Sequence, residues 1–187
     1  METVRARVTT LVGRVKLHTS LEDAVPAIRQ YPDADLERRR KMEKAGYHWD
    51  TPKFESPIEQ RRLRLLNSLF TAALRIGFPP SVRGAEARDL SLKVGEQHVA
   101  FAVEPVGGSP MRQSDARPSR KDVTGLHVAI SRRDGSGTPV RQWRDTKDAH
   151  VDRVLSDILV ELLVTGEQFH RDSAMFRYRW ILERRER

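Results

Sequence analysis

The stretch Ser56-Pro57-Ile58-Glu59-Gln60-Arg61-Arg62-Leu63-Arg64-Leu65-Leu66-Asn67-Ser68-Leu69-Phe70 opens a long amphipathic helix. Ser56 can accept from the amide of Glu59, Glu59 can reach back to the amide of Ser56, and Pro57 sits where its missing N–H costs nothing. Gly77 supplies the stop. At about 100° per residue, Ile58, Leu65, Leu66, Leu69, Ala72, Ala73 and Ile76 share a core face, and Arg61, Arg64, Ser68, Thr71 and Arg75 line the other. A solvated surface is the simplest reading of that second face; phosphate contact is the functional one. Arg62 projects from the apolar side, so it either snorkels at the helix edge or pairs with a carboxylate.

Downstream the period changes from 3.6 to 2, the pattern of antiparallel strands with one wet face. Leu90, Leu92 and Val94 alternate with polar neighbours, as do Val99, Phe101 and Val103, with Gly95-Glu96 as the turn between them. Leu126, Val128 and Ile130 make a third strand, and Asp134-Gly135 with Gly137 turns the chain into a fourth at Thr138 to Arg144. Residues 107–122, rich in Gly, Ser, Pro and Arg, read as a long mobile loop. From Asp148 helical spacing returns, with Val151, Val154, Leu155, Ile158, Leu159, Leu162 and Leu163 aimed at the same sheet face; Phe169, Phe176 and Trp180 keep a rough helical phase beyond Gly166.

These patterns predict an α+β domain over residues 52–187. An antiparallel sheet of four to five strands is covered on one face by two long helices, starting at Pro57 and Ala149. Residues 1–51 read as an N-terminal helical arm or small subdomain. One helix is expected from Leu21 to Gln30, capped by Ser20 with Asp23 reciprocating, and a second from Asp35 to Ala45, closed by Gly46. Two short helices around Tyr31-Pro32-Asp33-Ala34 raise a helix-turn-helix. The turn lacks a glycine and Leu36 to Lys41 shows little apolar stripe, so a solvated charged helix is the better account.

The 187 residues are 38% hydrophobic and 32% charged, enough for one core under a heavily charged surface. Without cysteine the chain has no disulfide, thiolate nucleophile or cysteine zinc site, which fits a reducing cytoplasm. The longest apolar run falls far short of the roughly 18 residues of a membrane helix, and the first residues lack a signal-peptide core, so no membrane partner is expected. A formal net charge of +8, from 34 basic and 26 acidic residues, concentrates polyanions.

The run from Arg61 to Gly77, the hydrophobic strands after it, Gln142-Trp143-Arg144-Asp145 and the leucine-rich helix from Val151 together resemble a group of uncharacterised bacterial proteins common on plasmids and integrated elements. The resemblance covers roughly residues 47–187. Longer members look like fusions of an N-terminal helix-turn-helix, marked by a Tyr-Asp-Leu-Val-Trp type motif, to a C-terminal α+β domain. That motif is absent here, so the resemblance implies either the C-terminal portion of such a protein or a relative without the reader head.

No complete catalytic, metal or nucleotide motif is present. A degenerate restriction-endonuclease-like nuclease could use Glu59, Asp89 and Glu104 around Mg²⁺, but Glu104-Pro105-Val106 supplies no lysine to orient water. His98 and His127 fall on the same wet side of the predicted sheet without a zinc spacing motif. No phosphate-cradling glycine loop occurs, so neither cofactor nor metal is expected. The tail from Met175 mixes Phe176, Tyr178 and Trp180 with arginines: continued core packing, base stacking with phosphate contact, or a partner helix are the three readings. The favoured expectation is a non-enzymatic, nucleic-acid-associated accessory or regulatory domain of a mobile element. DNA contact is assigned to Arg61, Arg64, Arg75, Arg177, Arg179, Arg184 and Arg185. The alternative is an interaction module that forms a homodimer through the C-terminal helix or a strand edge.

Overall fold

A computed structural model describes residues 2–46, 49–106, 125–132 and 138–185. The elements are α1 (Glu2–Val12), α2 (Pro26–Ala45), α3 (Pro57–Arg75), β1 (Pro80–Arg83), β2 (Asp89–Val94), β3 (Gln97–Pro105), β4 (Leu126–Ser131), β5 (Pro139–Arg144), a 3-10 turn (Val151–Arg153) and α4 (Leu155–Arg185). The five strands form an antiparallel meander in the order β1-β2-β3-β4-β5. The expected α+β architecture is therefore what the chain adopts.

The register explains the one-sided core. Leu90 faces Phe101, Leu92 faces Val99, Phe101 faces Ile130 and Val103 faces Val128. Because successive side chains alternate, all of these fall on the face that α3 and α4 cover. β1 is the fifth of the expected four to five strands and lies at one edge, where Pro80 needs no further ladder partner for its missing N–H.

α3 starts as read: Ser56 is the N-cap and its Oγ accepts from the Glu59 amide at 3.4 Å, and Gly77 follows the last turn with φ +84°. The reverse half of the capping box is diverted, because the Glu59 carboxylate receives Arg62 Nε at 2.6 Å instead. The opposite face of α3 is not solvated. Buried Ser68 accepts the His18 amide at 2.8 Å and buried Asn67 accepts the Val25 amide at 2.9 Å, so the chain between α1 and α2 lies across it.

The two short helices expected before residue 46 are one helix, α2, with Pro32 inside it. Ser20 caps no helix; its Oγ accepts locally from the Glu22 amide at 3.4 Å. Pro32 removes one backbone donor, at a typical cost of about 3 kcal/mol. Burial of Ile28 and Tyr31, the Tyr31–Phe54 ring contact and the seating of Asp35 offset it. Asp35 accepts the amides of Lys53 and Phe54 and pairs with Arg38, fastening the chain before α3 to α2. Tyr31-Pro32-Asp33-Ala34 is thus helical and makes no helix-turn-helix. Gly46 closes α2 with φ +67°. α1, which the sequence did not announce, lies along α4 and is tied to it by Arg5–Glu161 at 2.8 Å. Val12, Ala24, Ile28 and Tyr31 join the same hydrophobic core as the sheet. The loop expected at 107–122 lies outside the described residues, as does the Asp134-Gly135 turn.

α4 runs 31 residues without a break at Gly166, roughly 46 Å at 1.5 Å per residue. Its first half is core: Leu155, Ile158, Leu159, Leu162 and Leu163 are buried. From Arg171 onward nearly every residue is exposed, because the helix outruns the sheet that its first half covers.

Candidate nucleic-acid interface

Most of the well-placed arginines are bound into the protein. Arg61 donates to Asp145 through Nη1 at 2.5 Å and Nη2 at 3.2 Å, and to Asp152 through Nε at 2.9 Å. Asp145 also accepts the amides of Leu126 at 2.9 Å and Val151 at 2.7 Å. Burial works against ionising Asp145, but the bonds from Arg61, Val151 and Leu126 outweigh it and hold its carboxyl below the usual aspartate range. Arg61 thus joins α3, the start of β4 and the end of β5 instead of facing solvent.

Arg62 is fully buried, which settles the choice between snorkelling and pairing. Its guanidinium binds Glu59, the carbonyls of Ala87 at 2.9 Å and Glu86 at 2.6 Å, and lies over the Phe54 ring at 5.7 Å. Arg88 bridges Glu59 and Glu104. Burial pushes the Glu104 carboxyl up, Arg88 and Arg62 pull it down less strongly, and Glu59 adds to the rise. The two glutamates proposed for a metal therefore do meet, around arginines. Asp89 opens β2 opposite Arg83 and, by the register, lies level with Ala102, at the same end of the sheet as Glu104. Among the described residues no group of three or more metal-ligating side chains forms. His98 and His127 share the open sheet face as expected, but they face Lys93 and Glu104 respectively, about 20 Å apart at 3.4 Å per strand residue.

Arg75 donates to the Val12 carbonyl at 2.8 Å, and half-buried Arg64 sits between Arg61 and Ser68 on the same face. The three α3 arginines share that face, but it is the one on which the N-terminal chain packs. Arg5 and Arg141 both neutralise buried Glu161, at 2.8 and 3.0 Å. Asp145, Asp152, Glu161 and Arg88 are the partners that sequence reasoning missed; only Asp145 carried a signal, as the last residue of Gln142-Trp143-Arg144-Asp145.

The second half of α4 differs. Arg177 approaches Glu96 only to 3.8 Å, Arg179 is exposed, and Arg184 lies over the Trp180 ring at 5.2 Å. Arg185 ends the helix; its side chain lies outside the described residues. Phe176 and Trp180 are exposed, so they do not continue the core face; Phe169 is the last aromatic packed on the body. Beside them, Gln97, Asp172, Ser173, Phe176 and Arg177 line an open hollow of about 500 Å³. The arrangement offers rings and guanidinium groups on one exposed rod. No helix among the described residues is long and apolar enough to cross a membrane. Comparison with protein families, curated proteins and solved structures found no match to this chain.

Proposed function

We propose that this chain is a non-enzymatic, nucleic-acid-associated accessory or regulatory domain of a bacterial mobile element, acting in the cytoplasm. One observation carries the reading: on the exposed half of α4, Phe176 and Trp180 lie on one side with Arg177 and Arg184, while Arg61 and Arg75 of α3 are bonded to other parts of the fold. Rings stack on any exposed base and guanidinium groups contact phosphate, so such a surface suits single strands or duplex ends without sequence readout. The net charge of +8 supports it by drawing polyanions in, and the resemblance to plasmid and integrated-element proteins supports the setting.

The test is titration with single-stranded and duplex DNA across a range of salt. Binding must weaken as salt rises, with a slope that falls by about one for each phosphate contact removed. An Arg177→Ala/Arg184→Ala variant is expected to lose affinity and salt slope together, and Trp180→Ala to lose affinity mainly for single strands. Absence of binding at low salt removes the reading.

A further inference from the structure

We infer that the exposed half of α4 pairs with the same segment of a second copy, antiparallel, through a stripe distinct from the Phe176–Trp180 side. Met175, Tyr178 and Leu182 stand at i, i+3 and i+7, the spacing of a coiled-coil seam, with Ile181 flanking it. They are 55%, 61%, 40% and 46% exposed respectively. Taking roughly 200 Å² as the full surface of a large side chain, about 400 Å² of mostly apolar surface is uncovered there per protomer. A patch of that size matches the largest apolar patch of a typical monomer, which is often functional. Doubled across a two-fold axis this is about 800 Å², the size of a weak, concentration-dependent contact.

Charge selects the occupant and its direction. In a parallel pair Arg171, on the seam one turn before Met175 and ion-paired to Glu167 of its own helix at 2.8 Å, would face its own copy, and Asp172 would face the acidic member of that pair with no cation opposite it. In an antiparallel pair Met175 layers against Tyr178 of the second chain, and Arg171 layers against Leu182. The same register sets Asp172 against Arg179 and Ala174 against Ile181, and two-fold symmetry repeats each contact. Opposite charges therefore flank an apolar seam only when the helices run in opposite directions. That arrangement leaves Phe176, Trp180 and Arg184 on the outside of the pair, so the dimer neither requires nor blocks contact with nucleic acid.

The test is static light scattering and analytical ultracentrifugation of the full chain over a range of concentrations, with circular dichroism as the folding control. A dimer is expected, and Tyr178→Glu/Leu182→Glu should raise its dissociation constant at least tenfold without changing the melt of the body. Asp172→Arg should weaken the dimer, and Asp172→Arg/Arg179→Asp in one chain should restore it, which parallel pairing would not allow. Because the chain holds no cysteine, oxidising a mixture of Asp172→Cys and Arg179→Cys proteins should link one to the other. A chain that stays monomeric into the millimolar range, that associates only when DNA is added, or that cross-links Met175→Cys to itself in preference overturns the inference. Loss of DNA binding with an intact dimer would remove the nucleic-acid reading and leave this one standing.

Discussion

A Cβ placed on Gly166 of α4 would lie 2.5 Å from the Cβ of Val94 in β2. The glycine lies mid-helix, where it costs up to about 1 kcal/mol relative to alanine, and its presence allows helix and sheet to approach closely there. Gly166→Ala is expected to be destabilising despite the better helix propensity, by about 1–2 kcal/mol after the overpacking cost is set against it. Gly166→Ala/Val94→Ala should recover part of the loss, as read by urea melts.

Asp145 gives the acid limb of stability a specific origin. Its folded carboxyl titrates below its unfolded value of about 3.9. The stabilisation is therefore fully present above that unfolded value and is lost as pH falls through the folded one. Asp145→Asn should lower stability at neutral pH and flatten its decline below about pH 4. A denaturation series from pH 2 to 7 on both proteins measures this.

Arg62 should tolerate removal worse than any surface arginine. Truncation to alanine leaves Glu59 and two carbonyls short of a donor in the interior, and breaking a buried pair this way costs about 3–5 kcal/mol. Arg62→Met keeps the contact with Phe54 and should cost less than Arg62→Ala. Glu59→Gln should also destabilise, by leaving the guanidinium without its counter-charge. Chemical denaturation ranks the three.

Two arginine sets separate structure from surface. Arg61→Ala/Arg75→Ala should lower the melting temperature by several degrees, since it breaks the Asp145 and Asp152 pairs and the bond to Val12. Arg177→Ala/Arg184→Ala should leave it within about a degree, because exposed ion pairs contribute little. Thermal scans of the two double variants decide it.

Local chemistry made much of this legible in the sequence. Ser56-Pro57 and Gly77 bound α3 because capping is decided within one turn, and alternation marked β2, β3 and β4 because a one-sided sheet demands it. Gly46 closed α2 for the same local reason. Its beginning was not legible, since the proline rule that divides it at Tyr31-Pro32 is local and the burial that overrides it is not. The candidate arginines show the same division. Arg61, Arg64 and Arg75 do share a helix face, as the period requires, but periodicity cannot say what lies opposite that face.

From sequence alone, then, follow the order and type of the main elements, the face of each strand that enters the core, and the excess of positive charge. Tertiary structure decided which charges are spent. Arg61 meets Asp145 and Asp152 some 84 and 91 positions away, and Arg88 meets Glu59 and Glu104 across two elements. Such pairings depend on how the chain returns on itself, information that no window of neighbouring residues holds. It decided equally where α4 leaves the body, because the length of the sheet beneath the helix, and not the helix's own apolar pattern, sets which of its aromatic residues remain uncovered.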